Sequence, residues 1–198
     1  MIRNIIFDMG HVLLWFLPLE ACRALLRDEA DAQALYHAYF GPLWHEVDLG
    51  TLDGDAFTDA VKAQLPKRLH PAVDTLYRGM PENILAPVDG MAALTQRVLK
   101  RGYPVYLLSN AGKFMSRGRG CIPHIEAFDG VVFSGDEGLV KPDPALYRRL
   151  TDRYGLTPEE CLFIDDNEAN LAAAAALGWQ TYRFAGDVDA LQATLDTL

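Results

Sequence analysis

A chain of 198 residues, half of them apolar, can bury one core and has length for little beyond a single domain with an insertion. Its 27 acidic and 18 basic side chains leave a formal charge of −9, which argues against nucleic acid as the main partner, because backbone binding needs a basic face. Cys22, Cys121 and Cys161 are widely spaced and form no CxxC, as expected of reduced thiols rather than a disulfide frame or zinc site.

No apolar run reaches the roughly 18 residues of a membrane span, and Asp8 interrupts the N-terminus before a signal-peptide apolar region forms. The expectation is a cytoplasmic protein with a small-molecule partner, without membrane or nucleic acid. Asn4-Ile-Ile-Phe-Asp8 is a short unbroken apolar run ending in an acid, the pattern of a strand buried on both faces of a parallel sheet. From Trp15 to Ala86 only helical patterns follow: Leu19 to Ala30, Asp31 to Phe40, Ala56 to Leu65 and Pro71 to Gly79. They are separated by Gly41-Pro42, the turn region from Leu49 to Gly54, and Pro66. A helical cap inserted after the first strand is the natural account.

Beyond it, strand patterns at Pro104 to Ser109, Val131 to Ser134, Cys161 to Asp165 and Trp179 to Phe184 alternate with amphipathic stretches. These run from Met91 to Arg101, Ala145 to Tyr154 and Glu168 to Leu177, each followed by glycine. Thr157-Pro-Glu-Glu160 reads as a capping box with proline at the first helical position. The fold class is therefore α/β: a doubly wound, Rossmann-like parallel-sheet core from residues 1–15 and 86–198, with the cap at 16–85.

Ligands of such sheets bind at the carboxyl ends of the strands, near the reversal of strand order. Asp8, Ser109-Asn110 and Asp165-Asp166 end three strands, and Lys141 lies in the loop between two others. Any one is an ordinary turn residue, but together they suit phosphate and metal chemistry. Asp8 can attack phosphorus only if a divalent cation offsets its repulsion from a phosphoryl dianion. Asp166 would hold that cation, with Mg²⁺ the ion suited to a few oxygen ligands and several waters. Lys141 supplies further positive charge, and Ser109 with the N–H groups around Asn110 and Ala111, at a strand-to-helix turn, can bind phosphoryl oxygens. Neighbouring strand-end residues point to opposite sides, so Asp165 is expected to orient Lys141 or a metal-bound water. Asn170, four residues after Asp166, would support the metal from behind.

Phe7-Asp-Met-Gly-His-Val-Leu13, Leu108-Ser-Asn110, Lys141-Pro-Asp143 and Phe163-Ile-Asp-Asp-Asn167 resemble the four ordered motifs of the haloacid dehalogenase-like hydrolase superfamily. The resemblance spans the chain, including the place of the cap. Within the superfamily, Asp-x-Gly-x-Val with a late Ile-Asp-Asp-Asn is similar to the alpha-D-glucose-1-phosphate phosphatase branch. Carried over by position, it implies Asp8 as nucleophile and metal ligand, Ser109 and Lys141 as phosphate holders, and Asp166 as the other acidic ligand. It also implies a metal contact from the backbone carbonyl of Gly10. Most phosphatases of the superfamily have at that position an Asp that serves as general acid and base. Its absence leaves His11, or cap residues such as His45 or Glu46, to stand in.

The resulting expectation is a magnesium-dependent phosphatase acting on a small phosphorylated metabolite through an aspartyl-phosphate. Without the usual acid, esters with a stabilised leaving oxygen, such as hexose 1-phosphates, should be favoured over 6-phosphates. The competing readings are a 2-haloacid dehalogenase, which needs no cation and replaces the late acidic pair, and a catalytically impaired phosphometabolite-binding protein. A receiver domain is set aside because its acidic pair lies on the first strand. Substrate choice is assigned to the cap, with Trp15, Phe16, Trp44 and His45 as wall residues, and to the loop from Lys113 to Cys121, whose cations Lys113, Arg117 and Arg119 can steer an anion.

Overall fold

The computed structural model describes residues 1–116 and 118–198, with the side chains of Met115 and Ser116 left aside; the expectation for Arg117 lies outside the described residues. The chain opens with β1 (Asn4–Phe7), a turn, and a short strand β2 (Leu14–Phe16). Helices α1 (Pro18–Leu25), α2 (Glu29–Phe40), α3 (Pro42–Asp48), α4 (Gly54–Lys62) and α5 (His70–Arg78) follow, and β3 (Leu85–Pro87) returns antiparallel to β2. The rest alternates: α6 (Met91–Lys100), β4 (Val105–Ser109), β5 (Gly130–Phe133), α7 (Ser134–Glu137) and α8 (Pro144–Tyr154). It ends with β6 (Cys161–Asp165), α9 (Glu168–Ala176), β7 (Gln180–Arg183) and α10 (Val188–Asp196).

The main sheet has five strands, all parallel, in the order β5-β4-β1-β6-β7. The chain builds outward from β1 to β5 on one side, then crosses to β6 and β7 on the other, so strand order reverses at β1. Its side chains alternate between two cores: Ile5 and Phe7 join one, Ile6 the other. Both faces are covered, which is why the sequence of β1 reads as an unbroken apolar run rather than an alternating one.

The sequence reading misplaces several boundaries, each for a local reason. The break between the first two helices lies before Glu29, because Asp28 caps α2 by accepting from the Asp31 N–H at 2.9 Å. Gly41-Pro42 does not merely separate helices: Pro42 starts α3, where its missing N–H costs nothing. Thr157 does not form a capping box; Pro158–Glu160 is one 3₁₀ turn with no side-chain cap, because β6 begins at Cys161. The β2–β3 ribbon pairs Trp15 with Ala86, and α10 closes the chain; neither is read from sequence.

The end of α3 packs directly on the strand ends of the sheet. The Ser134 hydroxyl, at the start of α7, donates to the Asp48 carbonyl at 2.6 Å and accepts from the Ala111 N–H at 2.9 Å. Gly50 has φ +70°, and a Cβ there would overlap the Gly135 carbonyl. Only glycine permits both that backbone conformation and that approach. The helical insert is thereby pinned beside the loop following β4.

Candidate active site

One cavity of about 330 Å³ lies over the carboxyl ends of β1, β4 and β6, at the reversal of strand order. Asp8, Gly10, His11, Ser109, Asn110, Lys141, Asp166 and Asn170, all singled out from sequence, line it together. At its floor, the Lys141 ammonium lies 2.8 Å from a carboxylate oxygen of both Asp8 and Asp165, with its side chain 1% exposed. Burial works against the Lys141 charge, but Asp8 and Asp165 more than offset it and hold its pKa above the ordinary lysine value.

Asp8 is held asymmetrically. Its Oδ1 accepts from the Met9 N–H at 2.7 Å and from Lys141, whereas Oδ2 takes no donor among the described residues. Burial, against the pull of Lys141 and aided by the Asp165 charge, raises its pKa to about 6. Asp165 is wholly buried and accepts from Lys141, from the Asn167 N–H at 2.8 Å, and from the Asn170 amide at 3.1 and 3.0 Å on its two oxygens. Asp166 is half-buried; burial first, then the Asp165 charge, raises its pKa. Oxygens of Asp8, Asp165 and Asp166 come within 4.8 Å of one another.

Other expectations need correction. The Asn170 amide donates to Asp165, because α9 starts just beyond the acidic pair. The Ala111 N–H is already spent on Ser134, and among the described residues the loop after β4 enters a 3₁₀ turn at Lys113–Ser116 rather than an α-helix. The Asn110 side chain instead clamps the Lys141 backbone, accepting from its N–H at 2.7 Å and donating to its carbonyl at 3.0 Å. This fixes the loop that aims the lysine. Asp143 caps α8 by accepting from the Ala145 N–H at 2.8 Å.

Of the cap residues named from sequence, Phe16 and Trp44 line the cavity; Trp15, His45 and Glu46 do not. His45 and Glu46 are exposed, and Trp15 packs edge-on against the His11 ring at 6.0 Å. Ile84, Leu85 and Phe114 complete an apolar wall.

Sequence reasoning passed over Asp48, the last residue of α3, which also lines the cavity. Its pKa rises to about 7, chiefly through burial and further through the Asp8 charge, with Lys141 opposing. One signal was available: an acid at a helix C-terminus sits at the negative end of the backbone dipole, a locally unfavourable choice.

An open parallel α/β sheet with an acidic cluster and a buried lysine at its switch point defines a hydrolase-type phosphate or carboxylate site. The chain belongs to the haloacid dehalogenase-like hydrolase family, whose model matches residues 2–178. It is 26% identical over 195 residues to the D-ribitol-5-phosphate phosphatase of Bacteroides thetaiotaomicron, covering 92% of each chain. Acyl-CoA dehydrogenase family member 10 of Mus musculus is 34% identical over 190 residues; these are 91% of this chain but only 18% of that protein. A haloacid dehalogenase family enzyme of B. thetaiotaomicron, solved in complex with magnesium and inorganic phosphate, superposes with a TM-score of 0.75 at 22% identity, covering 96% of this chain and 99% of its own. Dehalogenases match as well, among them (S)-2-haloacid dehalogenase 4A of Burkholderia cepacia, 26% identical over 151 residues, 75% of this chain and 64% of that one. Among the described residues, no helix is long and apolar enough to cross a membrane.

Proposed function

We propose that this hydrolase is a magnesium-dependent phosphatase of small phosphomonoesters, with Asp8 as the nucleophile. The observation that carries this reading is the state of Asp8: one oxygen tied to Met9 and Lys141, the other open to a cavity shared with Ser109 and Asp166. The Asp8 carboxylate attacks phosphorus, the bond to the leaving oxygen breaks, and an aspartyl-phosphate forms; water then returns Asp8 and phosphate. Lys141 and the Ser109 hydroxyl hold the transferring group.

The donor set fits magnesium. Asp165 is fully occupied by Lys141, Asn167 and Asn170, which leaves Asp8 and Asp166 as the oxygens free to ligate. The Met9 carbonyl accepts from three following amides, whereas that of Gly10 accepts none among the described residues and is available as a third ligand. Two carboxylates and a carbonyl leave positions for water and a phosphate oxygen, the arrangement magnesium prefers. When bound, the cation offsets the repulsion between the Asp8 carboxylate and the phosphoryl dianion.

The helical insert acts as the cap. Its apolar wall of Phe16 and Trp44, with Phe114, supports a compact leaving group presenting a ring face, such as a hexose 1-phosphate. A screen of phosphorylated metabolites tests the function: hydrolysis should cease with chelator and return with magnesium. Chelator-indifferent turnover of 2-chloropropionate, with no phosphatase activity, would move the chain to the dehalogenases.

The acidic pair separates by titration calorimetry. Asp166→Ala should abolish measurable magnesium binding. Asp165→Ala should weaken it by about 10 to 100-fold, through lost orientation of its neighbours. An equal or larger loss at Asp165 contradicts the assignment.

A further inference from the structure

We infer that Asp48, presented by the helical insert, is the general acid and base that position 10 lacks; the inference rests on the phosphatase reading and deepens it. Three observations converge on it. Asp48 lines the same cavity as Asp8, Ser109, Lys141 and Asp166, and lies close enough to Asp8 for their charges to interact. Its backbone is fixed on the core side by the Ser134 hydroxyl at 2.6 Å, and the neighbouring Gly50 is packed against Gly135, so its placement is built rather than incidental. Among the described residues its carboxylate makes no hydrogen bond or ion pair, unlike Asp8 and Asp165. It is a half-buried carboxyl on the negative end of a short helix, a locally unfavourable place for an acid without a partner among the described residues.

The alternatives are placed less well. His45 and Glu46 face solvent, and Glu46 accepts from the Thr51 hydroxyl at 2.6 Å. His11 is exposed and packs on Trp15. Burial is the larger cause of the raised Asp48 pKa, with the Asp8 charge second and Lys141 opposing.

The proton balance is as follows. As the Asp8 oxygen bonds to phosphorus, the electron pair of the breaking P–O bond goes to the leaving oxygen, which takes the proton of the Asp48 carboxyl and departs as the alcohol. In the second step a water oxygen attacks phosphorus and gives its proton to the Asp48 carboxylate. The P–O bond to Asp8 breaks, phosphate leaves, and both side chains regain their starting forms. An acid on the insert also makes proton supply depend on the insert being docked. It further removes the reason, read from sequence, for favouring anomeric phosphates through leaving-group acidity; wall contacts must then set that choice.

The test compares p-nitrophenyl phosphate with p-nitrobenzyl phosphate, similar in shape but differing in leaving-group acidity, using magnesium-loaded protein. The readout is kcat/KM, which reports the steps through departure of the leaving group. In Asp48→Asn, kcat/KM for the nitrobenzyl ester should fall by about 10² to 10⁴-fold, and that for the nitrophenyl ester by less than about tenfold. The ratio of the two esters on one preparation does not depend on the fraction folded. The variant should release a burst of nitrophenolate and accumulate phosphorylated protein by intact mass, because the water step has lost its base. Gly10→Asp on the Asp48→Asn background should restore nitrobenzyl turnover at least about tenfold, since a Cβ at Gly10 meets nothing within 4 Å. Equal losses for the two esters, or an undiminished nitrobenzyl rate, would overturn the role of Asp48 while leaving the phosphatase reading intact. If the wild type hydrolyses neither ester, both readings fall.

Discussion

Replacing Asp8 with Asn should remove phosphomonoester hydrolysis by about 10⁵-fold or more, the scale seen when a catalytic nucleophile is deleted. The amide cannot form the acyl phosphate, and neither acid at the end of β6 takes its place. Asp165 is wholly buried and surrounded by donors, and Asp166 is the residue left for the metal. The fold should survive, because the amide oxygen can still accept from the Met9 N–H and Lys141 keeps its partner Asp165 at 2.8 Å. Purified variant protein should therefore show an unchanged circular dichroism spectrum and no phosphoenzyme by intact mass. Residual turnover within a hundredfold of wild type would mean that Asp8 is not the nucleophile.

Lys141→Ala should be the most damaging single change to stability. Among the described residues the ammonium is the one cation bridging Asp8 and Asp165, and it is 1% exposed at its side chain. Without it two buried carboxylates share the floor of the cavity uncompensated. Breaking a buried pair in this way costs about 3–5 kcal/mol, far more than loss of an exposed ion pair. For a chain of this size that corresponds to a melting temperature lower by roughly 6–20 °C. On the proposed phosphatase reading, turnover should be lost as well. A melt within about 2 °C of wild type would show that the two carboxylates are reorganised or solvated instead of stranded.

Much of this protein is carried by local sequence. The β1 strand is legible because burial on both faces makes Ile5 to Phe7 an unbroken apolar run, and α8 and α9 are legible because each helical run is closed by a glycine, Gly155 or Gly178. The polar set at the strand ends is legible for a related reason: in a parallel sheet, successive strands deliver their last residues to one edge, so Asp8, Ser109 and Asp166 must gather once the strands are identified. Some finer geometry is not local. Nothing in the order of residues says that Asn170 turns back to Asp165, that the Asn110 amide grips the Lys141 backbone, or that the Ala111 N–H is consumed by Ser134. Each is a contact between segments far apart in the chain, decided by the direction in which a neighbouring element leaves the sheet.

Asp48 marks the division most clearly. From sequence it is one acid among 27, near a glycine and following a proline that reads as a break. Its place in the cavity depends on α3 forming after that proline, on Ser134 holding its carbonyl, and on Gly50 letting the insert approach the Gly135 carbonyl. Sequence alone determined which polar side chains gather at the sheet edge, because backbone hydrogen bonding forces parallel strands to end together. Only tertiary structure decided which side chain of the insert faces that chemistry, because the docking of the insert on the sheet has no period or spacing of its own.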